Sequence, residues 1–365
     1  MPAQLAHPLR RLDSRARRYF AALEQAYGAA ASEADRALDL VIADQRLRVH
    51  FASSELFEEL APAIDRLQVP ETPGVLVHAD SRLHVWDTAS TGVRVPPFPW
   101  SPDQVGPGGS VIGYDEQRFR TLYRDDGAGF HSLAMYDTAR RVGYLWFADH
   151  ARIDWYERAE PLRSAIHWSL AADRRFLAHA SAVGDERGAV LLAGRGGAGK
   201  TTTTLASLAA GLRFVGDNYV LLSLENQPEV HGLYGTAKLW PETLALFPNL
   251  SPYVRTFDVQ PGEKLVVDVG RYRPDGLASR LPLRAVVAPT VAGRKDALLR
   301  RCSRVDALLA LAPTTVLQLP RTGRGLGRMA DLVKAVPTYT LELADDLSSG
   351  PAAISELLDE LAGTS

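Results

Sequence analysis

The sequence predicts an α/β fold with an N-terminal region of α+β character, and three observations predict it. An apolar run, Ala189 to Ala193, leads into a glycine-rich loop and then a helix-compatible run, Thr202 to Ala210. That is the strand, loop, helix order of an α/β unit. Short alternating runs (RFRTLYRD, HSLAMYDTA and RVGYLWFAD) fall together between residues 118 and 149, as in an antiparallel meander. The composition, 46% apolar and 23% charged over 365 residues, is that of an ordinary globular chain.

This length gives room for two domains. The change of pattern puts an α+β domain for substrate recognition or oligomerisation at residues 1–160 and a second domain, which carries the glycine-rich loop, at 161–365. Residues 12–27 read as an amphipathic helix, with Leu12, Tyr19, Phe20 and Leu23 near one face. A strand falls within 38–51. Ser53 or Ser54 then caps a helix reaching Leu67, with Glu55, Glu58 and Glu59 in its early turns, where negative charge suits the helix dipole. Residues 75–90 read as one or two strands. The Pro- and Gly-dense stretch 96–109 cannot be regular, and the meander follows through 149. A helix is expected over 162–176, after Pro161. Trp86, Trp100, Trp146 and Trp155 read as core or interface rather than as stacking platforms for bases.

From His179 onward the pattern changes. FLAHASAV (176–183) reads as a strand, turned back by Gly-Asp-Glu-Arg-Gly into the strand before the glycine loop, so a hairpin is expected there. The helix after the loop ends at Gly211, and 212–224 is a strand or two broken at Gly216-Asp217-Asn218. Strands are expected at 264–269 and 283–288, and helices at 305–312, 325–335 and 351–362.

The composition also excludes several function classes. A net charge of −2 offers no field to draw nucleic acid or an anionic membrane. The single cysteine, Cys302, rules out an internal disulfide framework and fits a reducing cytoplasm, where the protein is expected. No stretch approaches the roughly 18 apolar residues of a spanning helix. Arg10, Arg11, Arg15, Arg17 and Arg18 precede no apolar run, so the N-terminus does not read as a secretory signal.

The chemistry lies in Gly194–Thr201, GRGGAGKT, which satisfies the phosphate-binding pattern G-x-x-x-x-G-K-[ST]. A glycine loop opening a helix turns backbone N–H groups toward one anion. Gly194, Arg195, Gly196, Gly197, Ala198, Gly199, Lys200, Thr201 and Thr202 are therefore expected to hold a nucleoside triphosphate, ATP with Mg2+. Lys200 reaches the β- and γ-phosphates, and the Thr201 hydroxyl ligates the metal. Asp217 follows Lys200 by seventeen positions, a helix and a strand away, and so returns to the loop. A carboxylate there can hold Mg2+ or take a proton from an attacking hydroxyl. His231, Lys238, Lys264, Arg284 and Arg294 are further candidates to line the cleft, with Lys238 the best placed among them to offset phosphate charge.

The set of His179, the loop 194–201 and the GDN at 216–218 resembles the kinase core of HPr kinase/phosphorylase, a core shared with phosphoenolpyruvate carboxykinase. Relatives of that family include kinases that phosphorylate a serine of lasso-peptide precursors, and HVWDTASTG (84–92), LYGTAKL (233–239) and ALLALAPTTVLQL (307–319) resemble motifs expected of them. The resemblance implies a phosphate-loop core with a mixed sheet and flanking helices, and His179 on the strand before the loop, close to the transferred phosphate and the acceptor hydroxyl. It implies two adjacent acids where this chain has Asp217-Asn218, so the base or metal role is carried onto Asp217 alone. Catalytic roles thus fall on Asp217, His179 and Lys200, and metal-binding roles on Thr201 and Asp217. The expected activity is transfer of the ATP γ-phosphate to a hydroxyl, a serine of a peptide or small protein, with a sugar or metabolite hydroxyl as the alternative. A carboxykinase-like reaction lacks a convincing Lys-His-Asp set. A regulatory ATP-binding module, its catalysis lapsed through Asn218, is the non-enzymatic reading. A homo-oligomer accords with the family.

Overall fold

The computed structural model describes residues 6–31, 36–69, 79–111, 118–125, 131–171, 174–255, 263–319 and 325–363. It is a mixed α/β structure that divides into two units, Met1–Leu170 and Ala171–Ser365.

In the first unit, helix α1 (Ala6–Ala30) precedes strands β1 (Arg36–Ile42) and β2 (Gln45–Phe51). Helix α2 (Ser54–Leu60) is capped by the Ser53 hydroxyl, which accepts from the Leu56 N–H. The chain then passes through two short 3₁₀ turns to Leu67, so the single long helix expected from Ser53 is broken. Strand β3 (Ser81–Asp87) runs directly into a one-turn helix α3 (Thr88–Thr91), where a strand was expected to continue. The earlier part of that expected strand, 75–78, lies outside the described residues, as do residues 112–115 of the run SVIGYD (110–115), which reads as the first piece of the meander. Strands β4 (Phe119–Asp125), β5 (His131–Asp137) and β6 (Val142–Phe147) form the meander. Helices α4 (Trp155–Ala159) and α5 (Arg163–Leu170) end the unit.

The six strands form one sheet in the order β1-β2-β3-β6-β5-β4, with β3 parallel to both neighbours. Because side chains alternate across a strand, one face of β3 carries Leu83 and Val85 and the other carries His84 and Trp86. The second face meets α1. Tyr19, Phe20, Leu23 and Tyr27 pack there with Trp86, Trp100, Phe119, Tyr144 and Trp146, so those three tryptophans are core.

The second unit holds strands β7 (Arg175–Ala178), β8 (Ser181–Asp185) and β9 (Gly188–Leu192), helix α6 (Lys200–Ala209), and strands β10 (Arg213–Gly216), β11 (Val220–Ser223), β12 (Glu229–His231) and β13 (Thr236–Leu239). Short helix α7 (Pro241–Ala245), strands β14 (Val254–Arg255) and β15 (Leu265–Asp268) and a one-turn helix α8 (Val269–Tyr272) follow. The chain ends with β16 (Arg280–Arg294), β17 (Leu298–Arg301), α9 (Arg304–Gln318), α10 (Gly325–Ala335), β18 (Thr338–Ala344) and α11 (Ser349–Ala362). The main sheet has nine strands, and its backbone order is β10-β8-β9-β16-β12-β11-β7.

Strand β16 organises this sheet. It lies parallel to β9, while along its length it pairs first antiparallel with β12 and then parallel with β18. Its alternate residues serve both faces: Val286 packs with Met329 and Leu332 of α10, and Ala285 and Val287 pack with Ile354 and Leu358 of α11. The expected strand at 283–288 is thus the middle of a longer one. A separate three-stranded sheet, β13-β15-β14, packs its Ala237, Leu239 and Val267 with Leu205 and Leu208 of α6.

Two expectations fail here for long-range reasons. The helix read over 162–176 stops at Leu170, and Arg175 starts β7, because Phe176 and Ala178 are claimed by the core of the second unit. The run 176–183 is two strands, β7 paired with β11 and β8 paired with β9, so His179 lies in the connection between them and not on a strand. The hairpin β8–β9 forms as expected. The helix read at 305–312 continues through Pro313 to Gln318. Among the described residues no helix is long and apolar enough to cross a membrane.

Candidate active site

The site is built where β9 ends and α6 begins. Ala193 is held by its N–H to the Val287 carbonyl of β16, which fixes the start of the loop against the sheet. The loop then turns with Gly197 at φ +80° and Gly199 at φ +95°, left-handed angles that side chains rarely adopt. Space enforces the second glycine as well. A Cβ on Gly199 would lie 2.3 Å from Leu343 Cδ1. Arg195, Gly196 and Gly197 are exposed, Ala198 and Gly199 half-buried, and Thr201 and Thr202 half-buried in the first turn of α6. That turn leaves its leading N–H groups without intrahelical acceptors, and the helix dipole adds partial positive charge at the same place.

Lys200 is buried, and its ammonium donates to the Gly194 carbonyl at 2.7 Å and the Arg195 carbonyl at 3.2 Å. Burial pushes its pKa below the ordinary lysine value; the Asp217 charge opposes that shift, and the Lys264 charge adds to it. The ammonium therefore sits curled inside its own loop, at the place where a phosphate would compete for its protons.

Asp217 reaches this loop through sheet register. Strand β10 pairs antiparallel with β8, with a bulge between Phe214 and Gly216 that sets Gly216 opposite Ala182. The next residue thereby meets Ser181, whose hydroxyl donates to Asp217 Oδ1 at 2.5 Å. The Thr201 hydroxyl is 3.1 Å from Oδ1 and 3.0 Å from Oδ2, and Asn218 Nδ2 donates to Oδ2 at 3.1 Å. A longer contact, 3.5 Å, comes from the Lys238 backbone N–H. The carboxylate is 1% exposed, so nearly all its acceptor capacity faces protein donors.

Asn218 has a conformational reason to be where it is. Its φ is +63°, in the left-handed region that Asn tolerates better than most residues. Its amide then turns back onto its neighbour, so Asn218, itself uncharged, orients Asp217 by donating to its carboxylate.

His179 lies on the adjoining segment. Its ring packs edge-on to Tyr219 with centroids 5.2 Å apart, and its backbone N–H donates to Thr315 Oγ1 of α9 at 3.0 Å. Tyr219 in turn donates to Gln318 Oε1 at 2.6 Å. Residues 179–181 and 217–219 thus run side by side, with His179 on Tyr219 and Ser181 on Asp217.

The remaining candidate cations separate. Lys238 touches Asp217 through its backbone, and Lys264 lies over the Trp240 ring at 5.3 Å. Arg284 donates to the Arg187 carbonyl at the β8–β9 turn, and Arg294 pairs with Glu342 on the surface. His231 faces Glu229 at 3.5 Å along β12. These last three serve the scaffold. Sequence reasoning missed Ser181, the first residue of β8, because only the β8–β10 register makes it a neighbour of Asp217.

The donor set fits a divalent cation held with phosphate. Among the described residues there is no group of three or more His, Cys, Asp and Glu side chains able to hold a metal by itself. Thr201 and Asp217 in mutual contact supply one hydroxyl and one carboxylate, which leaves other positions to phosphate oxygens and water, the usual arrangement for Mg2+.

Beside the loop opens a cleft of about 760 Å³, lined by the loop residues Ala193–Ala198, by Ala288–Val291 of β16 and by Leu309, Ala310, Pro313 and Thr314 of α9. No protein-family model matches this chain, and no curated protein matches it in sequence. Among solved structures it is similar to the Hpr(Ser) kinase/phosphatase from Coxiella burnetii, at 14% identity and a TM-score of 0.26 over 50% of this chain and 94% of that one. A likeness that weak carries no functional argument, and the reading of this site stands on its own loop and carboxylate.

Proposed function

We propose that residues 171–365 bind ATP with Mg2+ and transfer its γ-phosphate to a hydroxyl group. One observation carries the reading: the Lys-Thr pair of a complete phosphate loop meets a buried carboxylate, with Thr201 within 3.1 Å of both Asp217 oxygens. Phosphoryl transfer asks a protein mainly to position groups and neutralise charge, and these residues supply both. The loop N–H groups and Lys200 hold the β- and γ-phosphates. Thr201 and Asp217 would hold the cation, which would draw charge from the phosphate oxygens. Asp217 accepts the acceptor's hydroxyl proton as the new O–P bond forms and the bond to the departing diphosphate breaks. Ser181 and Asn218 keep that carboxylate aimed. His179, held by Tyr219 and Thr315, flanks the place of the acceptor hydroxyl, a role suggested by the sequence resemblance of His179, the loop 194–201 and the GDN at 216–218 to HPr kinases.

The same resemblance suggests a serine of a peptide or small protein as acceptor, recognised by the N-terminal unit. Incubation with ATP, Mg2+ and a panel of serine-containing peptides should give a mass gain of one phosphate. Asp217→Asn should lower the transfer rate by roughly 100-fold or more, and Lys200→Ala by a comparable factor. Transfer at the wild-type rate in either variant would sink the proposal.

A further inference from the structure

We infer that the cleft between the phosphate loop and α9 is the seat of the nucleoside, and that Val291 and Leu309 are its specificity-determining walls. The inference rests on the nucleotide reading above and deepens it. Its first support is continuity. The cleft of about 760 Å³ shares residues Gly194–Ala198 with the phosphate loop and runs onto the carboxyl end of β16, the parallel neighbour of the loop strand. Ligands of open α/β sheets bind in the crevice outside the carboxyl ends of the strands, and a volume in this range suits one small organic molecule.

Its second support is the chemistry of the walls. Val291 is 70% exposed and Leu309 65% exposed, two large apolar side chains facing solvent on opposite sides of the cleft. Val291 is also tied to the loop, its Cγ2 lying 3.9 Å from where a Gly199 Cβ would be. Pro289, Ala310 and Pro313 complete an apolar surface on which the flat face of a base can rest. Thr314 lines the same wall, but its hydroxyl oxygen is shielded from solvent, so the wall meets a ligand through carbon. The proline within α9 adds one polar feature to this wall. Pro313 has no N–H to give the Leu309 carbonyl four residues earlier, which leaves an acceptor on the helix edge for a base amino group or a ribose hydroxyl.

A flat heterocycle attached to a polyphosphate meets all of these features, whereas a bare polyphosphate meets only the loop. That difference supplies the test. Calorimetry on the whole protein with Mg2+ compares ATP with inorganic tripolyphosphate, in the wild type and in a double variant, Val291→Asn with Leu309→Asn. Both side chains are exposed, so the fold tolerates the change, and thermal unfolding verifies it. ATP should bind about tenfold more weakly to the variant, about 1.4 kcal/mol, while tripolyphosphate affinity stays at the wild-type value. Equal weakening of both ligands, or unchanged ATP affinity, overturns the nucleoside seat and leaves the phosphate site standing. A wild-type protein that takes up neither ligand overturns the nucleotide reading itself, and the seat with it.

Discussion

Lys200 shows how one buried charge ties pH to ligand. Desolvation lowers its pKa below the usual 10.5, and neighbouring phosphate would raise it again. In the window between those two values the free protein has lost a proton that the complex holds. ATP binding should therefore take up protons there, and affinity should fall as the pH rises through the lowered value. Calorimetry at alkaline pH in two buffers of different ionisation enthalpy measures this uptake. Lys200→Arg, which stays charged, should abolish it, and an affinity flat through the same range would contradict the assignment. The sign for folding is the opposite of the sign for binding. Between the lowered value and 10.5 the unfolded chain binds more protons than the ligand-free fold, so stability rises with pH across that window. At the neighbouring position, Asn218 shows conformation selecting a residue type. An amide at φ +63° can cap Asp217 without adding a second buried charge.

At the scale of elements, β3 and α3 show that a motif-like stretch can be structural. HVWDTASTG ends a strand and opens one helical turn around Asp87, which is fully buried. Its carboxylate accepts from Ser53 Oγ at 3.1 Å and from the Ser90 N–H at 2.9 Å, and His150 Nδ1 lies 3.2 Å away. Ser90 Oγ approaches the same ring nitrogen at 2.9 Å, so serine and carboxylate do not use opposite edges of the imidazole as a catalytic relay requires. The cluster joins β3, α2 and the 150–152 turn. Asp87→Ala leaves several buried polar groups unsatisfied and should cost roughly 3 kcal/mol of stability, read by urea unfolding. A loss below about 0.5 kcal/mol would show that the cluster holds nothing together. Helix α9 makes the complementary point. Its ALLALAPTTVLQL stretch faces the cleft with Leu309 and Pro313, and ties down His179 and Tyr219 with Thr315 and Gln318.

At the scale of the whole molecule, each unit has its own sheet and its own buried apolar cluster. Residues 171–365 produced alone should therefore unfold in one cooperative transition. They should also bind ATP within about threefold of the full-length affinity, by calorimetry. Transfer to a peptide should be lost if the N-terminal unit recognises the acceptor. A fragment that folds but cannot bind ATP would place part of the nucleotide site outside it.

The sequence by itself determined what is written in local chemistry. Glycine spacing and the Lys-Thr pair specify a loop that turns with left-handed glycines, period-two runs specify the meander, and a Gly-Asp-Glu-Arg-Gly turn between two apolar runs specifies the β8–β9 hairpin. The seventeen-residue return brought Asp217 to Thr201 because a short helix and a strand leave few other destinations. Only the tertiary structure decided the rest. Whether 176–183 is one strand or two depends on β7 finding β11 and β8 finding β9, partners tens of residues away. The nearness of Ser181 to Asp217 depends on a bulge between β8 and β10. The cleft exists because β16 and α9 converge beside the loop, although neither carries a local signal for doing so. Periodicity and turn chemistry act within a few residues and are legible in order along the chain, whereas strand partners and registers are settled by burial across the whole core.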